Sequence, residues 1–275
     1  MDFNTIIEGI EELPPLSDTA QVVDKLYANG AENVNIINLV RAIESDASLT
    51  VNILKMINAP YYGFSRKIAS VSQAVTLFGT QIIYGLVIKF CIESSLVANL
   101  RPYGITSSQF NEISHLQSAL MNQWYSKIDL RHAQFLTPLA LIMETGKLVV
   151  SREIVKAGKI KEFQDGMRKT EDLIEFENEF FGTSSYFVTG TLFDYWNLEP
   201  IYADILKDLD FIPQDTSPQM EHYIKSLDIV RTAINVKNVL TQDSIAHACE
   251  LIEDIGFDPD DFIHVTSRLK QKIKN

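Results

Sequence analysis

"IASVSQAVTLFGTQII", residues 68–83, decides the fold. Ser70 stands where a helix N-cap would, "VSQAVTLF" follows with helical spacing, and Gly79 ends it. Thr80 then caps a second, longer helix. In it Ile82, Ile83, Leu86, Val87, Phe90 and Cys91 recur at i, i+1, i+4 spacing, with Ile88 and Ile92 on another side. A helix apolar on so much of its girth belongs at the centre of a helical protein. No charge falls between residues 68 and 88, which is the length of a membrane span. Ser70, Ser72, Gln73, Thr76, Gly79, Thr80 and Gln81 interrupt the run, so the reading is a buried helix of a soluble protein.

Outward from this helix the same period recurs. Residues 17–28 start at Ser17, stop near Gly30 and carry Ala20, Val22, Val23 and Leu26; Asn35 precedes "IINLVRAIE". Further on, Ile113, Leu116, Leu120 and Trp124 form one stripe, and Tyr223, Leu227, Val230 and Ile234 another. No segment alternates with a period of two between hairpin turns, so strands are not required. The fold expected is all-α, a helical bundle in two lobes. The break falls in "NLRPYGITSS", residues 99–108, where Pro102 and Gly104 interrupt and Ser107 or Ser108 restarts a helix. The N-terminal lobe then covers 1–104 and the second lobe 105–275. Aromatic residues clustered at 180–202 are expected to pack the second lobe.

The chain has 275 residues and a net charge of −12, from 36 acidic and 24 basic residues. Such a surface repels phosphate backbones and anionic bilayers, which argues against nucleic-acid and membrane partners. The basic run Arg268, Lys270, Lys272 and Lys274 suits a last helical turn, where cations complement the macrodipole. Cys91 and Cys249 form no framework, and "MDFNTIIEGIEELPP" lacks the basic start of a signal peptide, so a cytoplasmic location is expected. There is no Gly-rich phosphate loop, no Gly-x-Ser-x-Gly and no His-Glu-x-x-His.

Three stretches occur in a telling order: "LPPLSDTAQVVDKL" (13–26), "LVRAIESDASLTVNILKMINAPYYG" (39–63) and the stretch 68–83. Together they resemble the HD-related output domain (HDOD) family over about residues 13–200. Asn58, Tyr61, Tyr62 and Gly63 match the family's Asn-Ser-Ala-Tyr-Tyr-Gly-like turn, with Pro60 where Ala is common. Ile68, Ser70, Ala74 and Gly79 match its next helix, with Phe78 in place of Leu. Turn and cap chemistry also accounts for these residues without any ligand.

The resemblance implies a relation to HD-type metal-dependent phosphohydrolases, in which histidines and aspartates from several helices converge on divalent metal. Aligned on that pattern, His115 matches the first His, and Met143 and Glu144 stand where an adjacent His-Asp pair would be. Gly146, Lys147 and Leu148 keep the flanking pattern, and Asp228 matches the last Asp. "FGTSSYFVTGTLFDYWNLEP" keeps Gly182, Trp196, Leu198 and Pro200 but has Ser185 where a further His is common. Methionine is a soft, weak ligand for a hard divalent ion, and no proton shuttle remains beside Glu144. The expectation is therefore an inert signalling or regulatory module with no catalytic residue, no metal and no cofactor, working through a protein partner or a small ligand. Glu144 would be the remnant of a metal site, satisfied by Lys147, His115 or backbone amides at Thr145-Gly146. The alternative is a divergent metal-dependent phosphohydrolase using His115, Glu144 and Asp228. His132, His222, His247 and His264 are expected at the surface or in caps.

Overall fold

The computed structural model describes residues 1–64, 66–96 and 99–273. Among these the chain is helical, with one isolated antiparallel bridge between Ile234 and Val239 and no strand. The first helices are α1 (Phe3–Glu11), α2 (Asp18–Tyr27), α3 (Ile36–Glu44), α4 (Ala47–Ile57) and α5 (Val71–Ser95). Ser17, Asn35, Asp46 and Ser70 cap α2 to α5, each side-chain oxygen accepting from a backbone N–H three residues on.

Helix α5 is the central element. Its backbone leaves the helical region at Gly79, where φ is 80° and ψ is 166°, so the stop and restart read from the sequence is a kink inside one helix. Thr80 does not cap the restart; its hydroxyl donates to the Ala31 carbonyl at 3.3 Å. Beyond the kink Ile82, Ile83, Leu86, Val87, Ile88, Cys91 and Ile92 are buried, which accounts for the long apolar run. The helix also buries Lys89, which pairs with Glu93 and donates to Ser114 at 3.2 Å.

The second half begins with α6 (Ser107–Tyr125) and α7 (Leu130–Ile142). The start of α6 is one residue earlier than expected: Thr106 is the cap, and Gln109 completes a reciprocal capping box. Then come α8 (Gly146–Lys156), α9 (Ile160–Met167), α10 (Leu173–Phe181), α11 (Ser185–Tyr195) and α12 (Pro200–Lys207). The chain ends in α13 (Pro218–Ala233), α14 (Gln242–Asp254) and α15 (Asp260–Ile273). Lys270 and Lys272 lie in the last turn of α15, as expected; Lys274 is outside the described residues.

Helices α5 and α7 pack across the break at 99–108. Their approach is close: a Cβ on Gly85 would stand 2.5 Å from the Pro138 Cβ. The N-terminal helix also crosses over, since α1 lies against α8 and α11 and Tyr195 donates to the Glu11 and Leu13 carbonyls. Buried side chains from both halves form one continuous core. The aromatics of 180–202 belong to it in part: Phe180 and Phe181 surround the buried Phe163, and Phe193 packs on Tyr202.

Candidate functional site

Helix α7 runs out at Ile142, and Met143, Glu144 and Thr145 turn the chain into α8. The turn lies directly on the start of α11. A side chain on Gly146 would collide with the Ser185 carbonyl oxygen and crowd Thr189. Instead the Gly146 N–H donates to the Thr189 hydroxyl at 2.8 Å, and that hydroxyl lies 2.8 Å from the Met143 carbonyl. This fixes Glu144 and Lys147 on the inner face, both without solvent exposure.

Both oxygens of the Glu144 carboxylate face protein groups, Oε1 through hydrogen bonds and Oε2 through an ion pair alone. Gln117 of α6 donates to Oε1 at 2.8 Å and Tyr186 of α11 donates to the same oxygen at 3.0 Å. The Lys147 ammonium is 2.6 Å from Oε2 as an ion pair and donates to the Ser185 hydroxyl at 2.8 Å. It also sits over the Tyr186 ring, 4.3 Å from the centroid. A second buried carboxylate, Glu177, accepts from the Tyr103 hydroxyl and the Ser185 N–H, both at 2.7 Å.

The two carboxyls respond differently to the same lysine. Burial opposes ionisation of Glu144, but the Lys147 charge and the hydrogen bonds from Lys147, Gln117 and Tyr186 outweigh it, leaving the pKa below the ordinary value. For Glu177 burial prevails over the same cation and its hydrogen bonds, and the pKa rises. Burial also works against the Lys147 charge, but Glu144 chiefly, with Tyr186 and Glu177, holds it protonated. On the Tyr186 ring lies a second cation, the Arg231 guanidinium, 4.8 Å from the centroid.

Of the residues aligned with the HD pattern, the structure brings Glu144 and Ser185 together through Lys147, with Met143 buried beside them. It does not bring His115 to them. Residues two apart on a helix face different ways, and Gln117 rather than His115 points at Glu144. His115 points into the first half, with Nδ1 3.4 Å from the Tyr62 hydroxyl. Burial, with the Lys89 charge behind it, pushes its pKa down to about 3. Asp228 is engaged elsewhere, 2.7 Å from Arg231, which also reaches Asp210 at 3.3 Å and donates to the Leu209 carbonyl. The backbone amides at Thr145-Gly146 likewise go to other acceptors. His222 is not a surface or capping residue: half-buried, its Nε2 is 2.5 Å from the Tyr125 hydroxyl.

Reading the sequence missed Gln117, Tyr186, Glu177, Tyr103 and Arg231. Two had signals. Gln117 lies on the face of Ile113, Leu120 and Trp124, where a buried amide needs a polar partner, and Arg231 has ion-pair spacing from Asp228.

A divalent ion does not fit this arrangement. One Glu144 oxygen already accepts two hydrogen bonds and the other faces an ammonium at 2.6 Å, which would repel a second cation. Among the described residues no group of three or more His, Cys, Asp or Glu side chains converges as a ligand set.

The fold and the site together define an all-helical protein with a buried carboxylate paired to a lysine of its own chain. The HDOD domain family matches residues 13–208, and the chain belongs to that family. Among solved structures it is similar to a virulence factor from Campylobacter jejuni, at 23% identity and a TM-score of 0.58, covering 99% of this chain and 97% of that one. It is also similar to a Shewanella amazonensis protein provisionally named a phosphohydrolase, at 14% identity and a TM-score of 0.70, covering 97% and 93%. A Marinobacter aquaeolei protein provisionally named for signal transduction shares 18% identity at a TM-score of 0.68, covering 98% of this chain and 62% of that one. At these identities the likeness is one of fold. No curated protein matches.

Proposed function

We propose that the chain is a non-catalytic HDOD module of cytoplasmic signal transduction, acting by binding a protein partner or a small ligand. One observation carries the reading: Lys147 supplies, from within the chain, the positive charge that a metal would otherwise bring to Glu144. Gln117, Tyr186 and Ser185 complete the satisfaction of the pair, so the cluster serves packing rather than turnover. With His115 turned to Tyr62 and Asp228 held by Arg231, neither a ligand set nor a proton relay assembles around Glu144. Membership of the family and the name of the Marinobacter relative favour a signalling role.

The test is to incubate the purified chain with Mg²⁺, Mn²⁺ or Fe²⁺ and cyclic dinucleotides, nucleotides or phosphomonoesters, and to record its melting temperature with each ion. No turnover above background and no metal-dependent rise in melting temperature are expected. A rate or a rise that Glu144→Gln abolishes, in protein that remains folded, would replace this reading by the phosphohydrolase one.

A further inference from the structure

A cleft of about 530 Å³ opens between the end of α2 and the turn joining α11 to α12, with Asp24, Asp194 and Glu199 on its walls. It shares Tyr27 and Glu199 with a deeper hollow of about 130 Å³ lined by Tyr84, Phe135 and Tyr202. The rings adjoin one another: Tyr27 and Tyr84 are 4.5 Å apart between centroids, and Phe135 and Tyr202 are 5.3 Å apart.

Asp194 is paired at the rim with Lys207. Asp24 accepts one hydrogen bond, from Tyr84 at 2.8 Å, and among the described residues neither Asp24 nor Glu199 has a cation as partner. Burial pushes both carboxyls above their ordinary range, and for Glu199 the Asp24 charge adds to it. The hollow holds a further unmet group. Tyr202 is 3% exposed, and among the described residues its hydroxyl bonds to no protein atom, although Glu199 lies within electrostatic reach. Two half-buried carboxylates without a cationic partner and a hydroxyl without a protein partner thus line the adjoining hollows beside an aromatic wall. A cation that carries several N–H donors would meet both carboxylates and donate to the hydroxyl.

We propose that this cleft binds a guanidinium group, paired with Asp24 and Glu199 and laid against the tyrosine wall. A guanidinium presents several N–H donors in one plane, stacks on aromatic faces and is more weakly hydrated than an ammonium. A hard divalent ion would need more oxygen ligands than the cleft offers. A free guanidino compound and the arginine side chain of a protein partner present the same group, and the experiment distinguishes them.

The full chain is titrated calorimetrically with agmatine and, separately, with a capped Gly-Arg-Gly peptide. Saturable single-site binding of at least one is expected. Agmatine alone points to a small-molecule source, and the peptide to a protein partner. Glu199→Gln and Asp24→Asn should each weaken binding about tenfold or more, whereas Glu250→Gln on α14 should not. The melting temperatures of the unliganded Glu199→Gln and Asp24→Asn proteins should be unchanged or raised, because the substitutions remove mutual repulsion. Purely structural carboxylates would give lower ones. The assignment is overturned if neither ligand saturates, if Glu199→Gln binds as tightly as the wild type, or if tetramethylammonium competes as well as agmatine.

Discussion

Glu144 tolerates complete burial because one carboxylate oxygen accepts from Gln117 and Tyr186 and the other lies against the Lys147 ammonium. Glu144→Leu would leave the Gln117 amide and the Tyr186 hydroxyl without their acceptor and Lys147 without its counter-charge. Breaking a buried ion pair from one side typically costs about 3–5 kcal/mol. Glu144→Gln keeps an acceptor for Gln117 and Tyr186, so its loss in urea unfolding should be the smaller. Lys147→Met should be as harmful as Glu144→Leu, and the double variant less harmful than the two losses added, since neither charge is then stranded. Equal losses for Gln and Leu would mean that the hydrogen bonds contribute nothing. At this scale the sequence was half legible. The i, i+3 spacing makes Lys147 a natural partner of Glu144. Whether His115 or Gln117 faces it depends on how α6 is rotated against α7 and α11, and those long-range contacts leave no trace in local spacing.

At the scale of elements, the caps at Ser17, Asn35 and Ser70 and the break at Gly79 were legible because each is a local backbone requirement. The crossings were not, since they depend on residues far apart in the chain. Gly146 illustrates this. In sequence it only keeps a flanking pattern, yet it opens α8, and its function is to let that helix touch α11 at Ser185 and Thr189. Gly158 is the reverse case, with φ of 68° and nothing within 4 Å of a Cβ built there. Gly158→Ala should therefore cost only about 1–2 kcal/mol, the strain of a left-handed residue. Gly146→Ala has to push two helices apart at the buried cluster. It should cost more than Gly158→Ala, at or above the 1–3 kcal/mol typical of overpacking. Denaturant midpoints rank the two, and the opposite order would mean that the crossing is looser than its geometry.

At the scale of the whole molecule, helical periodicity made the all-α architecture legible, and the resemblance over 13–200 falls within the matched 13–208. What periodicity could not reveal is how the halves are joined, with α1 lying on α8 and α11 and with His115 at the seam. That histidine links three parts of the fold: it belongs to α6, meets Tyr62 of the turn before α5, and feels Lys89 of α5. Lys89 and burial both disfavour the imidazolium, so the folded chain binds its proton only near pH 3, against 6.5 when unfolded. The sign follows from proton uptake. Below pH 6.5 the unfolded chain takes up a proton that the folded chain refuses, so His115 is neutral in its effect above that pH and destabilises progressively below it. At pH 5.5 its share of the loss should be about 1.4 kcal/mol relative to pH 7.5. Burial also lowers His222 and raises the carboxyls of Glu177 and Glu199, shifts whose effects on stability run in opposite directions as pH falls. The raw pH profile therefore mixes opposing contributions. His115→Gln removes one proton site at that position, and subtracting its urea-unfolding profile from that of the wild type isolates the single-proton slope. A difference that stays flat from pH 7.5 to 5.5 would mean that His115 is protonated in the folded protein, and that Lys89 does not face it as described.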